Sequence, residues 1–108
     1  DIIIVGTKNG INFIKDDTVI KHYGVDEGLA DNMVFNIYKD AEDILWIATN
    51  SGISRFENNK FSNFSVKNGL HNNTIFDIVE DNEGYFWIPS PTGILKISKQ
   101  ELFNNLSS

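Results

Sequence analysis

The residues best able to do chemistry fall into two acidic clusters, two histidines and two polar loops. Asp40, Glu42 and Asp43 form one cluster, and Asp81, Asn82 and Glu83 form the other. A hard cation such as calcium wants several oxygens close together. The full EF-hand spacing with its distal bidentate Glu is absent, however, and solvated hairpin turns account for the same residues. His22 and His71 have no partner at metal-ligand spacing, so both read as surface histidines and no metal site is expected. A Ser-His-Asp triad would need a nucleophile elbow, and no Gly-x-Ser-x-Gly stretch occurs. Glycoside hydrolysis needs paired carboxylates, or a Tyr nucleophile backed by arginines, and Arg55 is the only arginine. No catalytic constellation and no cofactor are therefore expected.

Binding is better served than catalysis. The loops Ala30-Asp31-Asn32-Met33 and His71-Asn72-Asn73-Thr74 carry amides and a carboxylate that can bond hydroxyl groups. Asp31, Asn32, His71, Asn72 and Asn73 are the candidate ligand-binding residues, although turn capping by Asn explains the same side chains equally well. Trp46 and Trp87 could stack on sugar rings, but both recur in register with apolar neighbours and are expected in the core.

The elements that must position these residues are constrained by composition. The chain has 108 residues, 41% of them hydrophobic and 22% charged, and no cysteine. That composition is globular and sets one small domain as the upper limit. Fifteen acidic against nine basic residues give a net charge of −6, and the basic residues are scattered singly. Phosphate backbones and anionic membrane surfaces need clustered Lys and Arg, so neither nucleic acid nor membrane contact is expected. No apolar run, Ile2 to Val5 and Ile44 to Ala48 included, approaches the ~20 residues of a membrane span. The start has neither an initiator methionine nor a leader pattern, so the chain reads as an excised or processed piece.

Self-similarity decides the architecture. Gly28-Leu29 opens a stretch that returns at Gly69-Leu70, 41 residues later, with eleven identities over the 26 positions from Gly28 to Ile53. Among them are Asn32/Asn73, Phe35/Phe76, Asp40/Asp81, Trp46/Trp87 and Gly52/Gly93. A partial copy at the front aligns Val5–Ile11 with Ile47–Ile53 at an offset of 42. Within a copy, short β-branched and aromatic runs alternate with Asp/Asn/Gly turns, which is the signature of strands joined by hairpins. Four strands in about 41 residues make one propeller blade. The expected fold is all-β, with about two and a half antiparallel four-stranded blades. Residues 1–27 form the back of one blade, 28–68 a complete blade, 69–97 the front of a third, and 98–108 a C-terminal helix or tail. The run Leu45-Trp46-Ile47 implies a strand covered on both faces.

The pattern Asn32-x-Val34-x-x-Ile37-x-x-Asp40-x-x-x-x-Leu45-Trp46-Ile47-x-Thr49-x-x-Gly52-Ile53-x-Arg55-Phe56 resembles the two-component regulator propeller repeat. The second copy matches through Asn73, Ile75, Ile78, Asp81, Gly84, Phe86-Trp87-Ile88, Gly93-Ile94 and Lys96. The resemblance implies a many-bladed propeller outside the cytoplasmic membrane, the sensory part of a membrane-anchored hybrid histidine kinase or related bacterial receptor, often responding to glycans. The segment Asp81-x-x-Gly84-x-x-Trp87 is close to the Asp-box of sialidase propellers, but its spacing is off by one and the leading Ser or Thr is missing.

Departures from the repeat carry their own expectations. The Gly that usually follows Trp-Ile is kept at Gly6 but replaced by Ala48 and Pro89. Pro89 and Pro91 remove ladder donors, so the third blade's second strand should end early. Asp43 stands where the second copy has Gly84, and should be strained there. Ser98-Lys99-Gln100-Glu101 is a capping-box pattern, followed by Leu102, Phe103 and Leu106 at helical spacing. Open blade edges predict self-association, into a ring of copies, or an edge covered by that helix. The expected function is a non-catalytic part of an extracytoplasmic sensor propeller, with a carbohydrate as ligand and other blades or copies of itself as partners. The alternative is a structural or protein-interaction module that self-associates, and a propeller hydrolase ranks last.

Overall fold

A computed structural model describes residues 1–106, so Ser107 and Ser108, the end of the expected helix or tail, lie outside the described residues. The strands are Ile3–Thr7 (β1), Gly10–Lys15 (β2), Thr18–Tyr23 (β3), Val34–Lys39 (β4), Leu45–Thr49 (β5), Gly52–Glu57 (β6) and Lys60–Phe64 (β7). Val79–Glu80 (β8), Tyr85–Ser90 (β9), Gly93–Ser98 (β10) and the helix Lys99–Leu106 (α1) follow. They form three antiparallel sheets in the orders β1-β2-β3, β4-β5-β6-β7 and β10-β9-β8. The fold is all-β, with one short C-terminal helix.

Local chemistry sets the turns. Asn58 and Asn59, at φ 54° and 62°, close β6 onto β7 in the two-residue geometry whose twist matches that of the strands. Asp43 takes φ 65° where Gly84 takes 84°, so the Asp does occupy the left-handed region. Gly52 has φ 110°, and a Cβ there would run into the Phe64 carbonyl.

The sheets stack face to face through two cores. All five residues of β5 are buried, because alternate side chains enter opposite cores. Leu45 and Ile47 join Ile11, Leu29, Val34 and Phe56 against the first sheet. Gly6 permits that approach, since a Cβ on it would meet Val34 Cγ1 at 2.5 Å. Trp46, Ala48, Ile53 and Phe64 face the third sheet, where Phe86, Ile88 and Ile97 meet them. The rings of Trp46 and Phe86 lie 4.9 Å apart, edge to face.

Two expectations need correction. Trp87 is not in the core. It is 40% exposed against 1% for Trp46, because the face of the third sheet that carries it has no further sheet packed on it among the described residues. Nor does β9 end early: it runs through Pro89, which stays in register with Ile94. The proline shortens its neighbour instead. Pro89 has no N–H to offer the inner strand, and the β8–β9 ladder is confined to Val79–Glu80, with one further bond from Phe76 N to the Pro89 carbonyl.

The helix forms where its cap pattern places it. Ser98 Oγ accepts the Glu101 N–H at 3.0 Å, satisfying one of the orphan donors of the first turn. Packed against β7 and the turn after it, α1 inserts Leu102 into the core between the second and third sheets, and β10 remains the edge strand of its own sheet.

Candidate functional site

The two acidic turns do structural work. Asp40 is fully buried. Its Oδ1 accepts the N–H groups of Glu42 and Ile44, and its Oδ2 accepts the indole N–H of Trp46 at 2.9 Å. The Lys99 ammonium, from the first turn of α1, reaches the same Oδ2 at 2.7 Å. Burial pushes this carboxyl up, but Lys99, Trp46 and the two backbone donors more than offset it and hold it below its ordinary value. Asp81 repeats the arrangement with Glu83, Tyr85 and Trp87, and the Trp87 indole holds its carboxyl low as well. These carboxylates are occupied by the protein itself. Tyr38 adds a cross-sheet bond by donating to Glu80 Oε1 at 2.7 Å, and Glu80 lies 3.7 Å from Lys99.

The nominated loop residues lie at the other end of the strands. Each loop begins with a short 3-10 turn, Val25–Glu27 or Val66–Asn68, closed by a left-handed glycine, Gly28 or Gly69. Asn32 Oδ1 accepts the Val25 N–H and Asn73 Oδ1 accepts the Val66 N–H, so the two asparagines fasten the same turn in successive repeats. Asp31 Oδ1 accepts from Met33 N, and Asn72 Oδ1 accepts from Thr74 N. Ser51 donates to Asp31 Oδ2 at 2.6 Å, and Thr74 donates to Asn50 Oδ1 at 3.1 Å. Asp31, Ser51, Asn50, Thr74 and Asn72 thereby form a continuous polar rim across two sheets, with His71 exposed beside it. The structure brings Asp31 and Asn72 to one rim, leaves Asn32 and Asn73 as caps of the turns beside it, and gives the acceptor oxygens of all four backbone partners.

An aromatic pair continues this rim along the inner edge. Phe35 and Phe76 occupy the same repeat position, stand 5.5 Å apart edge to face, and are both exposed. Asn36 donates to Asp77 Oδ1 at 2.6 Å immediately beside them. A register shift in β4 between Val34 and Asn36 turns Phe35 out of the core. A separate cleft of about 460 Å³ between β6 and α1 is lined by Glu42, Arg55, Glu57, Lys99 and Phe103, and contains none of the nominated residues. Arg55 there stacks on the Phe103 ring at 4.6 Å and pairs with Glu57.

Residues 28–51 and 69–88, which span both Asp–Trp turns and both loops, match the two-component regulator propeller family. These two segments are two-component regulator propeller repeats. No curated protein matches the chain. Among solved structures it is similar to the extracellular domain assigned to the hybrid two-component system BT3049 from B. thetaiotaomicron, at 27% identity over 92% of this chain with a TM-score of 0.77. The corresponding domain of BT4673 from the same organism gives 27% identity over 95% and a TM-score of 0.76. This chain spans only 14% and 16% of the lengths of those two chains.

Within the propeller repeat, the Asp–Trp bond is a common element of both blades that reading residues singly does not reveal. The signal was present as two identities six positions apart, Asp40/Trp46 and Asp81/Trp87. The Phe35/Phe76 pair was legible in the same way, as an aromatic repeated 41 positions apart.

Proposed function

We propose that this propeller segment is part of the sensory region of an extracytoplasmic, membrane-anchored receptor. In this reading it binds a carbohydrate at the rim and passes the binding event to a histidine kinase of the same receptor. The observation that carries the ligand class is the exposed Phe35–Phe76 pair, set between Asn36–Asp77 and the rim of Asp31, Ser51, Asn50 and Thr74. Apolar ring faces next to fixed hydrogen-bonding groups suit sugars, which present flat C–H surfaces edged by hydroxyls. The cellular setting is supported by the similarity to extracellular domains of hybrid two-component systems. No described helix is long and apolar enough to cross a membrane.

The test is titration of the chain with a panel of neutral and acidic oligosaccharides, read by calorimetry and by backbone amide shifts. Binding should perturb Asp31–Phe35 and Asn72–Asp77, and Phe35→Ala or Phe76→Ala should each weaken it about tenfold, near 1.4 kcal/mol. Binding that survives both substitutions, or shifts confined to the Arg55 cleft, would refute the assignment.

A further inference from the structure

We infer that the candidate site selects its ligand by charge: it takes a sugar bearing a protonated amine ahead of a neutral one and turns away uronic and sulfated sugars. The inference rests on the carbohydrate reading and adds to it the charge of the ligand. Two carboxylates belong to this surface, Asp31 on the rim and Asp77 beside Phe35 and Phe76. Only neutral donors hold them. Asp31 accepts from the Met33 N–H and the Ser51 hydroxyl, while Asp77 Oδ1 accepts from the Asn36 amide and the Ile78 N–H. Neither carboxylate has an ion-pair partner among the described residues. Every ion pair there lies at the opposite end of the strands, in Lys39–Asp43, Arg55–Glu57 and the contacts of Lys99 with Asp40 and Glu80. Lys8 and Lys67, in the first hairpin turn and the turn Val66–Asn68, share the end that carries the rim but pair with neither Asp31 nor Asp77.

The consequence is electrostatic. A protonated sugar amine has donors and no acceptor, and against an uncompensated carboxylate it makes a charge-assisted bond about twice as strong as that of a hydroxyl. An aromatic face attracts the same cation through its negative quadrupole, so Phe35 and Phe76 favour it as well. A uronate or sulfate meets the reverse: two like charges, ring faces of the wrong sign and no cation paired into the site to neutralise it. The net charge of −6 acts in the same direction at longer range. Asp31 is fixed within the second blade by Ser51, and Asp77 at its junction with the third by Asn36, so both stand inside the stack and not on either outer face.

Calorimetric titration tests it, at slightly acid pH and low salt, where a sugar amine is protonated and charge is least screened. The probes are oligomers of glucosamine, of glucose and of glucuronic acid, matched in linkage and length. The glucosamine oligomer should bind about fivefold more tightly than the glucose oligomer, and the glucuronate oligomer about fivefold more weakly. Asp31→Asn combined with Asp77→Asn keeps the shape of the site and removes its charge, and should level the three affinities. Asp16→Asn combined with Asp17→Asn takes the same charge from the turn between β2 and β3, at the opposite end, and should leave the order unchanged. Glucuronate binding as tight as that of glucose, an order that outlasts the first pair of substitutions, or one that the second pair levels equally would overturn the inference and leave the carbohydrate reading standing. Binding of none of the three would overturn both. Should a variant fail to fold by circular dichroism, salt supplies a second measurement on the parent chain: raising it should weaken the glucosamine oligomer, strengthen the glucuronate oligomer and leave glucose unmoved. A salt response common to all three would overturn the inference.

Discussion

Replacing Asp40 by Ala removes the acceptor for the Trp46 indole, for two backbone N–H groups and for the Lys99 ammonium. Taking away one partner of a buried ion pair costs about 3–5 kcal/mol, because the other is left uncompensated. Lys99 is 22% exposed and keeps Glu80 at 3.7 Å, which places the expected loss at the lower end, about 3 kcal/mol. For a domain of this size that lowers the melting temperature by about 15 °C. Asp81→Ala is the internal control, since the same indole bond at 2.9 Å is made there in the open, where water replaces the lost acceptor. Thermal unfolding followed by tryptophan fluorescence measures both, and a double-mutant cycle of Asp40→Asn with Lys99→Met isolates the pair. Equal losses for Asp40→Ala and Asp81→Ala would refute the reasoning, because burial would then contribute nothing. The pH dependence carries a defined sign. The Asp40 carboxyl lies below its ordinary value of 3.8 in the folded chain, so its contribution is complete above that value and is lost as pH falls through the lower folded one. The deficit of Asp40→Asn relative to the parent chain should therefore shrink in acid.

Two further perturbations follow from the same geometry. The Tyr38 phenol is pushed up to about 12 from 10.0, chiefly by its bond to Glu80 and then by burial and the nearby negative charges, so its contribution is intact below pH 10.0 and lost as pH rises through about 12. Phenolate absorbance should show one late-titrating tyrosine, absent in Tyr38→Phe. Gly52→Ala places a Cβ against the Phe64 carbonyl at a left-handed φ, and should cost at least about 2 kcal/mol in denaturant unfolding.

The strands, the stacking of blades and the capped helix were legible because turn residues and apolar alternation repeat together at a fixed period. Asp43 was legible too, since aligning it with Gly84 shows where a side chain must tolerate positive φ. What the repeat could not convey was context. Trp46 and Trp87 are the same residue in the same strand position, yet one is buried and the other open, because burial depends on whether a neighbouring sheet lies against that face. Pro89 misled for a related reason: its own strand keeps its path, and the missing N–H weakens the strand beside it. For the nominated loops, the sequence left ligand binding and turn capping equally open. The structure gives Asn32 and Asn73 a capping bond each, and draws Asp31 and Asn72 into a rim with Ser51, Asn50 and Thr74. The contribution of Lys99 was invisible beforehand, as it depends on a helix folding back 59 positions onto Asp40.

Asp40 Oδ2 accepts from two donors that belong to different sheets' assemblies, Trp46 within the second and Lys99 at the end of the third. Mechanically, that oxygen is a rivet through two plates. Tilting the third blade pulls Lys99 and loads the turn between β4 and β5, while rotating that turn displaces the helix. On its Asp40 side such a bond is stiff, because stretching it takes a donor from a carboxylate that water does not reach. A rearrangement at one end of the stack therefore passes along it as movement of whole blades, with little of it absorbed as slack at the joints.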